Sequence, residues 1–381
     1  VSKIYLTYNN IISSLGFTTT ENIENISKDI SGIEKIEDIN LSQTPIYTSL
    51  VNTIKLDNTF KKLGNINDFT RLEKLMILSL HDVLTESNVK ITPKTGLIIS
   101  TTKGNIDVLD SSSKFSKKRA YLSELAKQIQ RFFGFKNEAI VLSNACVSGV
   151  LAISVAKRLI KSDMYDNVFV VSGDIVSKFI ISGFQSFQAI SDSSCKPFSK
   201  NRTGINIGEA AASVLVTSQK ENLAPDAVEI LGDASCNDAN HISGPSRTGE
   251  GLYRSMLSAF NEANIKTTEI DYVSAHGTAT NYNDEMEAIA FDRINLEKVS
   301  INSLKGYYGH TLGASGLLES IVGMQSLYNN TLYASYGFDE IGVSKPLNII
   351  KETTEKPLTT FLKTASGFGG CNTAAIFKKV L

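Results

Sequence analysis

A run of apolar residues, Ala139-Ile140-Val141-Leu142, passes without a linker into Ser143-Asn144-Ala145-Cys146-Val147-Ser148-Gly149 and then an amphipathic stretch reaching Lys161. The apolar run predicts a buried strand and the spacing beyond Gly149 predicts a helix, so the small residues between them form a tight elbow. A strand that feeds directly into a helix is the unit of α/β packing, and it constrains the fold more than any other segment. Cys146 stands at the elbow, where unpaired N–H groups and the positive pole of the helix favour thiolate over thiol and lower the pKa. A nucleophile is expected there, with Lys157, Arg158 and Lys161 complementing the opposite pole. Taken alone, the same cysteine also suits a buried small hydrophobe.

The alternation continues along the chain. Helical spacing over 68–84 leads to a buried strand at 96–100, and a helix over 119–133 precedes the elbow unit and a strand at 167–172. A charged, proline-containing break at 221–225 divides the chain, after which the pattern starts again: helix at 251–263, strands at 270–275 and 299–302, a long apolar helix at 311–328, and strands at 359–363 and 374–379. The reading is therefore two similar α/β halves, 1–222 with the cysteine and 223–381 with two of the histidines and a lysine, meeting so that two helix N-termini converge. The first 65 residues, rich in Asn, Ile, Thr and Ser, suggest only a strand at 4–8 and weak helical periodicity after Thr20.

Composition excludes several function classes. At 381 residues, 42% hydrophobic, 20% charged and net charge −1, the chain has a sizeable core and no global field to draw nucleic acid. No apolar run is long enough to span a bilayer and no secretory signal is evident, so a cytoplasmic protein is expected. Four scattered cysteines, Cys146, Cys195, Cys236 and Cys371, suit chemistry better than a disulfide framework or metal knuckle.

Two of the four histidines lie in glycine-flanked turns directly after strands: Ala275-His276-Gly277-Thr278-Ala279-Thr280 and Tyr308-Gly309-His310-Thr311-Leu312-Gly313. Lys305 lies shortly before His310, and Asp284, Glu287 and Glu319 lie close in sequence to these groups. A metal centre is disfavoured, because paired short spacings are missing and a lysine opposes a cation. A papain-like hydrolase leaves the second histidine turn without a task.

Five separated segments then carry a specific resemblance. They are Asn144-Ala145-Cys146-Val147-Ser148-Gly149; Pro197-Phe198-Ser199-Lys200-Asn201-Arg202-Thr203-Gly204 with Gly208-Glu209; His276-Gly277-Thr278-Ala279-Thr280 through Asp284; Asn302-Ser303-Leu304-Lys305 through Gly313; and Gly367-Phe368-Gly369-Gly370-Cys371-Asn372. The chain resembles an elongating β-ketoacyl-acyl carrier protein synthase of the thiolase superfamily, in the branch of synthases I and II. The resemblance implies an α/β thiolase-like fold in layered αβαβα arrangement. It implies a decarboxylative Claisen condensation that joins an acyl chain on Cys146 to malonyl-acyl carrier protein.

The resemblance also implies roles. Cys146 is the acyl acceptor, the N–H groups of Cys146 and Phe368 form the oxyanion hole, and Phe368 gates the acyl pocket. His276 and His310 bind the malonyl thioester carbonyl, Lys305 supports them, and Asp284, Glu287 and Glu319 hold Lys305 and the surrounding loops. Thr278 and Thr280 contact phosphopantetheine, which arrives on the carrier protein, so no other cofactor and no metal is expected. Docking of the acidic carrier falls to Arg71, Lys74 and Arg202, with Lys117, Lys118 and Arg119 as further candidates. A homodimer, or a heterodimer with a related ketosynthase-like subunit, is implied.

Two positions depart from the pattern: Ser366 replaces a phenylalanine and Cys371 stands where threonine is common. Cys371 lacks the Cys-x-Gly context of a degradative thiolase. The presence of Cys146 argues against a chain-length factor, in which that cysteine is replaced. A specialised polyketide or aryl-polyene synthase, or a noncatalytic partner subunit, remains an alternative.

Overall fold

The alternation read from the sequence builds two sets of strands, one from each half, that join edge to edge in one eleven-stranded sheet with helices packed on and between them. In the computed structural model, which describes residues 3–239 and 244–380, the first half contributes β1 (Tyr5–Ile12), β2 (Thr95–Ser100), β3 (Ile140–Leu142), β4 (Asn167–Asp174) and β5 (Ala210–Thr217). The second contributes β6 (Val228–Asn237), β7 (Tyr272–Ser274), β8 (Ser300–Asn302), β9 (Asn348–Ile349), β10 (Thr360–Gly367) and β11 (Cys371–Lys379). Their hydrogen-bonded order is β9-β8-β7-β10-β11-β6-β1-β5-β4-β2-β3. The halves join through a short contact, Tyr5 and Leu6 of β1 against Glu229 and Val228 of β6.

Within each half the senses repeat. Strand β2 is parallel to β3 and β4, as β7 is to β8 and β10. Strand β5 then runs antiparallel between β4 and β1, as β11 does between β10 and β6. The loop between Thr217 and Val228, where the sequence shows its charged break, separates the two sets.

The larger helices are α1 (Arg71–Ser87), α2 (Leu122–Phe133), α3 (Ser148–Lys161), α4 (Lys178–Ser186), α5 (Glu250–Ala263), α6 (Asn281–Arg293) and α7 (Ser315–Asn329). Leu72, Met76 and Leu80 of α1 pack with Leu125 and Ile129 of α2 on one outer face, and Leu252 and Met256 of α5 pack with Ala288 and Phe291 of α6 on the other. Between the two sets of strands, Val150 and Ile153 of α3 meet Leu317 and Ile321 of α7. The result is the five-layer αβαβα order that the resemblance implies.

Local chemistry fixes the helix ends. Thr70 and Glu73 form a reciprocal capping box that starts α1, and Gly134, at φ 74°, stops α2. The apolar stretch expected as one helix over 311–328 opens instead with a 3₁₀ turn, Leu312–Ala314, before α7. Helices α4 and α6 and the long strands β5 and β6 were not legible in the sequence. In α6 the acidic Asp284 and Glu287 face inward and bind backbone N–H groups, which breaks the apolar stripe a helix normally shows.

The central helices approach so closely that Gly149 has no room for a side chain. A Cβ there would lie 2.5 Å from the Leu317 nitrogen and 3.0 Å from the Gly313 oxygen. Gly149→Ala is expected to cost about 1–3 kcal/mol, because backbone rather than a flexible side chain must yield. Chemical denaturation measures this; an unchanged midpoint would show that α3 and α7 are not locked at that point.

Candidate active site

The elbow is built as the sequence suggests, with one displacement. Helix α3 begins at Ser148 with Val147 as its cap, so Cys146 lies just outside the first turn. Ala145 takes φ 43°, a left-handed conformation that turns the chain sharply and costs a non-glycine residue about 1–3 kcal/mol. Ser148 secures the turn: its Oγ accepts from the Asn144 N–H at 2.8 Å and donates to the Ala145 carbonyl at 2.6 Å.

The expected lowering of the Cys146 pKa is corrected by its surroundings. Burial pushes the thiol up to about 12, reinforced by Cys371 and Asp174, while Lys305 and a hydrogen bond from the Phe368 N–H act the other way. Desolvation is the largest cause because the sulfur is enclosed by the protein. At neutral pH Cys146 rests as a thiol. Alkylation of Cys146 by iodoacetamide is therefore expected to keep rising with pH through 9; a plateau at or below neutrality would contradict this.

The two histidine turns close over the sulfur. Cys146 Sγ and one ring nitrogen each of His276 and His310 lie within 4.8 Å of one another, and the rings meet edge to face with centroids 5.1 Å apart. Gly277, at φ 41°, makes the first turn possible; a Cβ there would strike Ser303 at 2.5 Å. In the second turn, the Leu312 N–H donates to His310 Nδ1 at 3.2 Å, with Ser315 Oγ also 3.0 Å away. A backbone N–H only donates, so Nδ1 carries no proton and Nε2–H is the free donor of the neutral ring. Burial, then Lys305, then in the case of His276 its partner His310, and finally Lys363 hold both pKa values well below the ordinary histidine range. Both imidazoles are neutral at pH 7. His276 Nδ1 is buried without a hydrogen-bond partner among the described residues.

Beneath the rings the carboxylates divide their work. Glu319 holds Lys305 at 2.7 Å, and Lys305 Nζ also donates to the His276 carbonyl at 2.6 Å. Asp284 and Glu287 do not reach Lys305 by hydrogen bonds. Glu287 accepts from the His276 and Gly277 N–H groups at 2.8 and 2.7 Å, and Asp284 accepts from those of Thr278 and Phe198 at 2.9 and 2.7 Å. Burial, with Asp284 beside it, pushes the Glu287 pKa upward.

Sequence reasoning missed two contributors. Lys363, fully buried in β10, pairs with Glu319 at 2.6 Å. Asp174, at the end of β4, accepts from the Thr102 and Gly313 N–H groups and so ties the loop after His310 to the first half. Neither was marked in the sequence: Asp174 falls just beyond the strand read at 167–172, and Lys363 closes the one read at 359–363.

A cavity of about 350 Å³ opens onto Cys146, His276 and His310 and is also lined by Thr278, Thr280 and Phe368. The two threonine hydroxyls are 2.9 Å apart on its wall. Phe368 stacks on Phe184 at 5.6 Å and meets Phe187 edge-on at 5.3 Å, on a loop where Gly369 and Gly370 have φ of 87° and 79°. Ser366 Oγ sits 2.8 Å from Asn372 Oδ1. Cys371 is buried and burial pushes its thiol up to about 11, so it offers no base at neutral pH.

The docking expectation needs correction. Arg71 forms a close ion pair with the buried Glu209, Lys74 pairs with Asp57, and Arg202 donates to the carbonyls of Thr280, Ser199 and Gly342. Arg119 pairs with the buried Glu73. These cations are held by internal partners. Lys117 and Lys118 lie in a short 3₁₀ turn and are exposed.

The family model described as the beta-ketoacyl synthase N-terminal domain matches residues 18–222, and that of the C-terminal domain matches residues 227–339. The chain is 27% identical over 412 residues to 3-oxoacyl-[acyl-carrier-protein] synthase 1 of Buchnera aphidicola, covering all of both chains. It is 30% identical over 259 residues to 3-oxoacyl-[acyl-carrier-protein] synthase 2 of Rhizobium meliloti, spanning 64% of this chain and 61% of that one. Its fold superposes on a ketosynthase solved in complex with its chain length factor from Xenorhabdus doucetiae, with TM-score 0.90, 24% identity, and coverage of 100% and 98%. The ishigamide ketosynthase/chain length factor gives TM-score 0.89 at 22% identity over the whole of both chains. With its two halves matched in order and its thiol and histidine turns brought to one cavity, the chain belongs to the beta-ketoacyl synthase family.

Proposed function

We propose that the protein lengthens an acyl chain by two carbons through decarboxylative condensation with malonyl-acyl carrier protein, as in fatty-acid elongation. The observation that carries this reading is the convergence of one thiol and two neutral imidazoles in a single cavity. In the first half-reaction a bond forms between Cys146 Sγ and the acyl carbon, the bond to the carrier's thiol breaks, and the thiol proton ends on the departing sulfur. The exchange is proton-neutral, which suits a nucleophile that rests as a thiol. The backbone N–H groups of Cys146 and Phe368 receive the oxyanion.

The malonyl thioester then places its carbonyl oxygen against His276 and His310. Loss of carbon dioxide leaves an enolate on that oxygen, and its carbon attacks the acyl-Cys146 carbonyl. Cys146 departs and takes up one proton. No base has to remove a carbon-bound proton. Thr278 and Thr280 line the path of the phosphopantetheine arm, which is the only prosthetic group in this reading.

A second subunit belongs to the same reading. Strand β3 ends the sheet, and Ile140–Leu142 are only half-buried although apolar. Such an edge invites pairing with a second copy or a related subunit. The specialised alternative has separate support, because the two fold neighbours above are ketosynthase and chain length factor complexes.

Mixing the protein with a panel of acyl carrier thioesters and malonyl carrier protein tests the proposal. A carrier-bound β-ketoacyl product two carbons longer than the starter supports it, and the preferred starter separates a fatty-acid from a polyketide or aryl-polyene role. Turnover only after adding a related subunit selects the heterodimer. Acylation by no starter, with or without that subunit, contradicts a catalytic role.

A further inference from the structure

Lys305 falls within one of the five resembling segments and Lys363 within none, yet the structure buries Lys363 completely beside the first histidine turn. It stands in β10 opposite Ser274 of β7. Its Nζ donates to the carbonyls of Ser274 and Ala275 at 3.1 and 3.2 Å and pairs with Glu319 Oε2 at 2.6 Å. Lys305 grips the next carbonyl, His276, and the other oxygen of Glu319. Three consecutive carbonyls are thus held by two ammonium groups that share one carboxylate. Burial and the neighbouring Lys305 lower the Lys363 pKa, but the charges of Glu319, which faces both lysines, and of Glu287 favour its ammonium form, so the second cation is kept where burial makes charge costly.

We propose that Lys363 is a second positioning lysine of the active site: it fixes the His276 turn and supplies an added positive charge beneath the two imidazoles, where it strengthens their hold on the enolate oxygen. The groups facing the rings are few. Lys305, Lys363 and the shared Glu319 lie beneath, Cys146 faces them from the elbow, Glu287 and Asp284 of α6 reach the 276–278 backbone, and Asp174 reaches Gly313. The Lys363 charge lowers both histidine pKa values. A proton on His310 Nδ1 would break the Leu312 hydrogen bond that orients the ring, so the site works with neutral imidazoles. The enolate role rests on the condensation reading, whereas the charge on the rings does not.

The test is a pair of variants of the full chain, Lys363→Met and Lys363→Gln, the second keeping a donor for the two carbonyls without the charge. Histidine ring protons are titrated by NMR, the four imidazoles of the sequence giving a simple spectrum. The pH profile of malonyl carrier protein decarboxylation is followed in a Cys146→Gln background. In both variants the two active-site rings are expected to titrate higher, and the acid limb of decarboxylation to move up in pH with them. Decarboxylation at pH 7 is expected to fall about tenfold.

Unmoved ring titrations in cooperatively melting variants would make Lys363 a structural ion only and overturn the proposal. Normal titration in Lys363→Gln but not in Lys363→Met would assign its effect to hydrogen bonding and overturn the electrostatic role. Failure of Lys363→Gln to fold would assign the lysine to folding and likewise overturn that role. Shifted rings in a chain that never decarboxylates malonyl carrier protein would uphold the charge assignment and refute the condensation reading.

Discussion

Cys146→Ala is expected to abolish acyl transfer and with it condensation, by at least about 10⁴-fold, because Cys146 is the one thiol among the described residues that line the cavity. Residual malonyl decarboxylation should survive, since His276 and His310 remain and carbon dioxide loss does not use the sulfur. Cys146→Gln should go further and raise decarboxylation, its side-chain amide occupying the space of an acyl thioester. Carrier-bound products and released carbon dioxide are measured separately. Condensation at wild-type rate in either variant would remove Cys146 from the mechanism.

Loss of one imidazole should divide the two half-reactions the opposite way. His276→Ala and His310→Ala are each expected to permit acylation of Cys146 but to slow condensation by about 10²–10³-fold, the usual effect of deleting one donor to a developing oxyanion. His310 should be the more informative, because its Nδ1 is fixed by the Leu312 N–H and its free donor is therefore defined. Intact mass follows acylation, and malonyl consumption follows the second step. Loss of acylation with decarboxylation preserved would reverse the assignment.

Much of the site was legible because its chemistry needs rare local geometry. The strand–elbow–helix around Cys146 and the glycine-flanked histidine turns mark themselves by small residues where the chain must bend or approach another backbone, as Gly149 and Gly277 show. The duplication was legible in outline from the repeated strand and helix patterns. Helix α6 was not, because its acidic residues serve the 276–278 backbone from inside the fold. Lys363 was hidden at the end of a predicted strand, where a lysine ordinarily marks the exit to solvent.

The errors share a cause. Basic residues read as docking sites turned out to face buried carboxylates, Arg71 with Glu209 and Arg119 with Glu73, and no local pattern separates an exposed cation from a paired one. The helix terminus predicted a lowered Cys146 pKa, whereas burial, reinforced by the charges of Cys371 and Asp174 from distant parts of the sequence, moves it upward. Both depend on contacts between segments far apart in the chain. Phe368 illustrates the same limit: its motif was readable, but its packing on Phe184 and Phe187 was not.

The most direct test of the central claim is peptide-resolved mass spectrometry of the protein after mixing with an acyl carrier thioester, before and after malonyl carrier protein is added. The account predicts an acyl mass confined to the peptide bearing Cys146, discharged on malonyl addition as a β-ketoacyl product two carbons longer. Acyl mass on a different residue, or on Cys146 but unchanged by malonyl carrier protein, would contradict it.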